Sequence, residues 1–293
     1  MQKNKQGITY ITSLCTVLLW ASAFSATKYA LDYYSPGSVM VFRFIFASLT
    51  LISVGVIKKI RLPEKRDLPL FILGGFVGIF LYMVFFNTGT NYVDSGISSF
   101  IIASAPVFAV ISARIFLREK VRPLCWVGMF ISLGGIIIIM LSQVVDYVFN
   151  FGIILLLLAA ITTSWHNVIQ RKILKKYTAL EATTYSVIVA TIFMFVFFPG
   201  FIREFQYSTL TVNLIVAYLG VFPAALAYLL WGFALSTAKK TSNVVIFLYL
   251  VPFVAIILGY FWLGEVLSIW SILGGVIIIA GMVLASTKSA QKE

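Results

Sequence analysis

Long segments without charged residues are the feature of this sequence that most constrains its fold. Ten such apolar segments follow one another along the chain, and a single cation, Arg43, interrupts one of them. A helix of about 20 apolar residues crosses a hydrocarbon core of about 30 Å. The sequence therefore predicts ten transmembrane helices, at approximately 8–31, 37–57, 68–90, 96–116, 124–142, 151–170, 181–199, 212–235, 242–263 and 268–286.

The composition excludes an ordinary soluble domain. Hydrophobic residues make up 61% of the chain and charged residues 11%, whereas soluble domains contain about 25% charged residues. The charge needed to cover a water-exposed surface is missing, and a bilayer removes that need. A cleavable signal peptide ending at Ala21-Ser22-Ala23 is an alternative for the first segment, but that apolar segment continues beyond Ala23.

Lysine and arginine are concentrated on one side of the predicted membrane. With a cytoplasmic N-terminus, 19 of the 22 cations lie in cytoplasmic segments, and only Lys28, Arg43 and Arg203 do not. The ten acidic residues divide evenly, so the asymmetry follows the positive-inside rule. We therefore expect both termini in the cytoplasm and the 143–150 and 200–211 loops outside. The net charge of +12 is explained by contact with anionic headgroups rather than by nucleic-acid binding.

The two halves of the chain repeat at a fixed offset of 146 residues. The matched positions are Gly74 with Gly220, Tyr82 with Tyr228, Pro106 with Pro252, Glu119 with Glu265, Gly128 with Gly274, and Gly135 with Gly281. At an offset of 145, Trp20 corresponds to Trp165. Each half holds five predicted helices, and an odd number turns the second half upside down. We predict an all-α membrane protein with ten transmembrane helices in two inverted five-helix repeats, 1–146 and 147–293.

The same positions resemble a known family. The pattern of Gly220, Tyr228, the Trp231–Leu235 segment, Pro252 and the Leu263–Glu265 segment, repeated in part in the first half, resembles the ten-helix EamA-type branch of the drug/metabolite transporter superfamily. The resemblance implies a bacterial exporter of amino acids or related metabolites. It also implies a central cavity lined by the first four helices of each half, with the fifth and tenth helices peripheral. Asn87 lies where the first half departs from the pattern.

Several side chains in the predicted helices are candidates for substrate binding. Large aromatic side chains far from the membrane interfaces require a partner or a cavity, the single histidine can bind substrate or carry a proton, and an intramembrane arginine is a functional candidate by default. We expect one central cavity lined by Trp20, Arg43, Tyr82, Trp165, His166, Tyr228 and Trp231. The alternatives are that the aromatic residues only pack helices, and that Arg43 pairs with Asp94 or Glu265 as an outer gate.

Other positions have a predicted mechanical role. Pro106 and Pro252 interrupt apolar helices, and we interpret them as hinges, with static kinks as the alternative. Lys28, Glu119 and Glu265 are predicted to act as gate or structural residues, and Lys28 has Asp32 four residues further on as its expected partner.

No enzyme motif, metal-ligand spacing or ATP-binding loop is present in the sequence. We therefore expect no enzymatic activity, cofactor or metal. The predicted function is a secondary active or exchange transporter that exports small metabolites across the bacterial inner membrane by alternating access. Its partners would be a small-molecule substrate and the bilayer, not nucleic acid, and it would act as a monomer or a homodimer. A lipid or lipid-linked-sugar flippase, and an importer or exchanger of a nucleotide-like cofactor, are the alternative functions.

Overall fold

The computed structural model describes residues 2–116, 123–142, 150–237, Val244 and 246–286. All regular secondary structure in these ranges is helical. Ten helices follow in chain order: α1 (Gln2–Leu31), α2 (Pro36–Lys58), α3 (Lys65–Tyr92), α4 (Ser95–Ala103 and Ala105–Phe116), α5 (Pro123–Ser142), α6 (Phe151–Ile173), α7 (Ala179–Phe205), α8 (Leu210–Val221, Phe222–Leu226 and Ala227–Thr237), α9 (Ile246–Leu250, Val251–Leu258 and Gly259–Leu263) and α10 (Ile269–Ser286).

This architecture confirms the predicted all-α membrane fold. Seven of the helices are long and apolar enough to cross a membrane, and the three shorter apolar stretches are Ser95–Phe108, Phe247–Leu263 and Ile269–Ala285. One boundary was wrong, because α7 continues to Phe205 instead of ending near 199. Pro199 lies in the first turn of its last segment, Phe198–Phe205, where a missing N–H leaves no hydrogen bond unmade. The predicted 200–211 loop is therefore reduced to 206–209.

Capping side chains fix where two equivalent helices begin. The Ser35 hydroxyl accepts a hydrogen bond from the Ser38 N–H at the start of α2. At the start of α7, Thr178 and Glu181 form a reciprocal capping box. Each cap satisfies backbone N–H groups that have no partner inside the helix. The α1–α2 and α6–α7 turns therefore have similar geometry in the two halves.

Small residues bring α5 and α10 into close antiparallel contact. A Cβ atom added to Gly128 would lie 2.5 Å from the Gly281 carbonyl oxygen, and one added to Gly135 would lie 2.5 Å from the Gly274 oxygen. Glycine at these positions therefore permits backbone approach, as is usual between membrane helices. Gly128 is equivalent to Gly274, and Gly135 to Gly281, so the two contacts exchange when the halves are exchanged.

A second helix pair has the same two-fold pattern. The Ser48 hydroxyl on α2 lies 2.8 Å from the Thr191 hydroxyl on α7, and these residues are 143 apart. Two homologous positions in mutual contact lie on an approximate two-fold axis. The boundary between the two predicted repeats, at 146 and 147, lies outside the described residues.

The burial pattern corrects the alignment of α1 with α6. At an offset of 143, most buried positions match buried ones and most exposed positions match exposed ones, as with Thr9 and Gly152, Ser13 and Leu156, Val17 and Ala160, Ile8 and Phe151, and Ile11 and Ile154. At this offset Trp20 is equivalent to Thr163, so the predicted correspondence of Trp20 with Trp165 at 145 was wrong. The offset of 145 rested on a single match of residue type, tryptophan with tryptophan, whereas the periodic burial along the two helices supports 143. From α3 to α5 the sequence offset of 146 remains.

Both candidate hinge prolines follow a break in their helix. Pro106 is the second residue of the segment that resumes after the turn at Ser104, and its side chain is exposed. Pro252 is the second residue of Val251–Leu258, which follows the 3-10 turn Ile246–Leu250, and it is buried. The equivalent positions therefore share a backbone break, while their surroundings differ.

Candidate substrate site

A cavity lies among α2, α3, α6, α7 and α8. Its empty volume, including the open mouth, is about 430 Å³. The lining residues are Arg43, Phe44, Gly78, Ile79, Tyr82, Met83, His166, Gln170, Thr183, Ser186, Val187, Ala224 and Tyr228. Both halves of the chain contribute to it.

Two wide helical turns shape the cavity wall. Phe76–Leu81 in α3 and Phe222–Leu226 in α8 are π-helical. The cavity residue Tyr82 directly follows the first turn, and Tyr228 lies two residues after the second. The turns begin 146 residues apart, at equivalent positions. A π-helical turn carries an extra residue and often occurs at functional sites. The two halves therefore use the same local distortion to place a tyrosine on the wall.

Arg43 carries an unpaired charge on this wall. Only 5% of the residue is exposed, and its Nε and Nη1 atoms have no hydrogen-bond partner among the described residues. Its Cζ atom lies 5.9 Å from the centre of the Phe44 ring, and the cavity lining contains no acidic residue. Leaving a buried charge without a counter-ion costs on the order of 3–5 kcal/mol. Arg43 is therefore positioned to bind an anion.

The alternative pairing of Arg43 with an acidic outer residue does not occur in this structure. The Glu265 carboxylate instead accepts hydrogen bonds from the Ser95 backbone N–H at 2.8 Å and from the Ser95 hydroxyl at 2.6 Å. These bonds satisfy orphan donors at the start of α4. Glu265 therefore connects the α9–α10 turn to α4, and Arg43 remains available to a ligand.

His166 occupies a niche that a glycine creates. Its Nδ1 atom lies 3.3 Å from the Gly74 carbonyl oxygen. A Cβ atom added to Gly78 would lie 2.1 Å from the same nitrogen, which is too close for any side chain. Gly78 therefore allows the imidazole to pack against the π-helical turn and to form part of the cavity wall.

An aromatic cluster supports Tyr228 from behind. The Trp20 ring lies 5.4 Å from the Tyr228 ring and 5.3 Å from the Trp231 ring. The Trp20 Nε1–H donates a hydrogen bond to the Pro223 carbonyl oxygen at 3.2 Å. Trp20 and Trp231 are absent from the cavity wall. The partly buried Trp20 ring thus packs against Tyr228, and Trp231 packs against Trp20.

The structure brings together four of the seven predicted substrate-binding residues. Arg43, Tyr82, His166 and Tyr228 line the cavity. Trp165 does not line it and is 39% exposed, because α6 presents a different face at that position from the face that α1 presents at Trp20. Three polar wall residues were not predicted: Gln170, Thr183 and Ser186. Only the offset of 143 reveals that Ser186 is equivalent to Arg43.

The EamA-like transporter family matches the chain twice, at residues 7–141 and 150–287. The chain belongs to this family. The resemblance to EamA-type drug/metabolite transporters is thereby confirmed, and the protein is a multi-pass membrane transporter of small molecules.

Similar proteins are transporters by name. The uncharacterized transporter YdfC of Bacillus subtilis is 32% identical over 265 residues, which cover 90% of this chain and 86% of the relative. A probable terminal-alkyne amino-acid exporter of Streptantibioticus cattleyicolor is 32% identical over 278 residues, or 94% and 92% of the two chains. A crystal structure with 16% identity over 97% of each chain has a TM-score of 0.65, which shows that the fold is shared.

Lys28 of this EamA-like transporter binds backbone rather than the expected Asp32. Its Nζ donates to the Thr90 carbonyl oxygen at 3.1 Å and to the Asn91 oxygen at 3.0 Å. The last carbonyls of a helix lack intrahelical partners and carry partial negative charge, which favours a cation there. Lys28 thus connects α1 to the end of α3. Glu119, the other candidate gate residue, lies outside the described residues.

Equivalent tyrosines hold the connections at the two ends of the transporter. At the end that carries the basic 59–64 and 174–178 connections, here called the basic end, the Tyr177 hydroxyl donates to the Asp67 carboxylate at 2.6 Å. At the opposite end, the Tyr34 hydroxyl donates to Asn213 Oδ1. Asn213 is equivalent to Asp67 at the offset of 146, and Tyr34 to Tyr177 at 143.

Only the contact at the basic end is ionic. Lys176 lies 2.6 Å from the Glu64 carboxylate and 2.6 Å from the Asp67 carboxylate. Its hydrogen bond lowers the pKa of Glu64, and the same pairs raise the pKa of Lys176. All three side chains are partly exposed, so solvent screens these interactions.

Proposed function

We propose that this transporter exports small carboxylate-bearing metabolites, amino acids or related zwitterionic or aromatic compounds, across the bacterial inner membrane by alternating access. It would work as a secondary active or exchange transporter and not as an enzyme. The observation that carries the proposal is the buried, unpaired guanidinium of Arg43 on the wall of the cavity.

The charge of the cavity selects for an anionic group. Arg43 is the one charged side chain in the described lining, so the site has a net positive charge until a ligand enters. Guanidinium and carboxylate match in a planar, bidentate geometry, with hydrogen bonds roughly twice as strong as neutral ones. A carboxylate restores the missing counter-ion, whereas a cation or a neutral sugar leaves Arg43 unpaired.

The remainder of the wall suits a compact apolar or aromatic group. Phe44, Ile79 and Met83 provide apolar contact, and Tyr82 and Tyr228 provide ring faces with a polar edge. The hydroxyls of Thr183 and Ser186 and the amide of Gln170 can accept hydrogen bonds from an amino group. An amino acid presents all of these groups within one small molecule.

Two separate observations support the proposed membrane orientation and the proposed direction of transport. The connections at the basic end contain Lys59, Arg61, Lys175 and Lys176, and such clusters remain in the cytoplasm, which would place both termini there. The cavity includes Gln170 and Thr183, one turn from the α6–α7 connection at that end. It would therefore open toward the cytoplasm, where an exporter loads. The Streptantibioticus relative, named as a probable amino-acid exporter, supports the same direction.

A counterflow assay in proteoliposomes tests this function. Vesicles preloaded with single members of a panel of amino acids, other carboxylates, amines, sugars and nucleotides would be challenged with the labelled compound. We expect exchange with one or more carboxylates and none with amines or neutral sugars. Protein with Arg203→Gln, a cation outside the cavity, is the control and should behave as wild type. Exchange limited to amines, sugars or lipids would overturn the proposal.

A further inference from the structure

The cavity wall contains two kinds of residue. Eight of its members form four pairs of equivalent positions from the two halves, and therefore surround the approximate two-fold axis: Arg43 with Ser186, Phe44 with Val187, Gly78 with Ala224, and Tyr82 with Tyr228. The other wall residues have equivalents elsewhere. Among them are His166, Gln170 and Thr183, all on the basic side of the axis.

The equivalents of these three residues are closed off in the opposite half. His166, Gln170 and Thr183 line the cavity, whereas their equivalents at the offset of 143, Ala23, Thr27 and Met40, are buried and do not line it. One half of the bundle is therefore open at positions where the other half is packed. In a protein built from two inverted halves, exchange of the two half-conformations exchanges the openings.

The closed half contains polar atoms without partners. Thr27 Oγ1, Asn87 Oδ1 and Thr90 Oγ1 are buried and make no hydrogen bond within the described part of the chain. Most buried polar atoms are hydrogen-bonded, and each exception needs an explanation. α1 and α3 meet at this level, because Lys28 Nζ binds the Thr90 carbonyl oxygen. Water or substrate would satisfy all three atoms if this region opened.

Two phenylalanines lie beside this region, and one of them also contacts the substrate cavity. The rings of Phe24 and Phe86 meet edge to face at 5.5 Å, one turn before Thr27 and Thr90 on their helices. Phe86 also stacks on the cavity residue Tyr82 at 5.6 Å. The equivalents of the two phenylalanines are Asn167, which is exposed, and Gly232. The open half thus has no pair of aromatic rings at the equivalent positions.

We infer that Thr27, Asn87 and Thr90 line a second vestibule, closed in this structure, through which substrate leaves, and that Phe24 and Phe86 are the gate between it and the substrate cavity. The inference rests on the proposed transport function. Substrate passes from Arg43 between the two rings to the polar layer, and the gate closes again when the cavity opens toward the basic end.

Cysteine accessibility tests the vestibule without a known substrate. In protein with Cys15→Ala and Cys125→Ala, Thr27→Cys would be compared with Ala26→Cys in right-side-out vesicles treated with a charged, impermeant thiol reagent. Both residues are fully buried and lie at the same depth of α1, but Ala26 packs against Leu219 of α8. We expect Thr27→Cys to react at least about tenfold faster, because it is exposed whenever the outward-open state is populated. Equal rates, or no reaction at either position, would overturn the inference.

A second experiment tests the gate by removing its two aromatic rings. Ser186→Cys places the thiol on the cavity wall, and we expect Phe24→Ala combined with Phe86→Ala to raise its reaction with the external reagent by about tenfold. Trp126→Ala combined with Phe130→Ala, two neighbouring exposed rings on α5, is the control and should leave the rate unchanged. An unchanged rate in the Phe24 and Phe86 variant would show that these rings are not the gate. Failure of carboxylate counterflow with a reactive Thr27→Cys would refute the proposed function and leave the vestibule in place.

Discussion

The two halves of the transporter have matching backbones and unequal chemistry. Both bear a π-helical turn followed by a tyrosine, Tyr82 or Tyr228, on the cavity wall. At the neighbouring equivalent positions the first half has Arg43 and the second has Ser186. The two halves thus share a backbone framework, while Arg43 makes the charge on the cavity wall asymmetric. A substrate would bind with its carboxylate toward the first half.

The two ends of the bundle also combine equivalent contacts with unequal charge. Tyr177 and Tyr34 hold equivalent connections, but the basic end adds the carboxylates of Glu64 and Asp67 and the ammonium group of Lys176, whereas Asn213 at the other end is neutral. Homologous contacts thus differ in their sensitivity to salt and pH. Among the following substitutions, Gly78→Ala, Ala224→Gly and Asp67→Asn make one half resemble the other, and Arg43→Gln removes a charge that the equivalent position lacks.

The largest effect is expected from the charge in the cavity. Arg43→Gln should lower kcat/KM for a carboxylate substrate by about 100-fold, because a charge-assisted bidentate pair is lost. Ser186→Ala, at the equivalent position, should change it by less than about threefold. Proteoliposome transport with matched protein insertion measures both. Similar losses in the two variants would show that the halves contribute equally.

A second test concerns the π-helical turns. Gly78→Ala should displace His166 and destabilise the folded protein by about 1–3 kcal/mol through overpacking, with a lower Tm in detergent and slower transport. Ala224→Gly, its counterpart, should cost no more than about 1 kcal/mol. If Gly78→Ala retains the wild-type Tm and transport rate, the niche for His166 is not a constraint.

The smallest effect is expected at the ends. Asp67→Asn makes the basic end resemble the Tyr34–Asn213 contact, and because its partners are exposed we expect less than about a twofold change in transport rate, present at low salt and absent near 1 M salt. A salt-independent change would contradict an ionic role for this contact.

The shifted pKa of Glu64 gives the same end a pH dependence. Its pKa lies below the ordinary 4.5, so its ion pair stabilises the protein above that pH and is lost as the pH falls through the lowered value. We expect Glu64→Gln to reduce Tm slightly at pH 7 and to have no effect at the acid limit of the titration. An equal effect at both pH values would exclude this ion pair as the cause.

The fold could be predicted from sequence because the bilayer constrains every span. Charge-free segments and the glycine, proline and tyrosine repeat gave ten helices with ends close to those observed. The extension of α7 to Phe205 was not predicted. A proline can end a helix, but it is also compatible with the first turn of a helical segment, which is where Pro199 lies.

The site was harder to predict, since it depends on which face each helix presents. Arg43, Tyr82, His166 and Tyr228 stood out as polar or aromatic groups deep in apolar segments. Trp165 carried the same signal and lies outside the cavity. The offset of 143, which the burial pattern reveals and residue identity does not, relates Ser186 to Arg43, whereas Gln170 and Thr183 correspond to no predicted site residue at that offset.

The most direct test of the central claim combines two substitutions, one in the protein and one in the substrate. Transport of a carboxylate that passes the counterflow assay would be compared with transport of its carboxamide, in wild type and in Arg43→Gln. If Arg43 binds the carboxylate, wild type should prefer the acid by about 100-fold in kcat/KM, and the variant should treat both compounds alike. A preference of the same size in both proteins would show that the carboxylate is recognised elsewhere and would contradict the account.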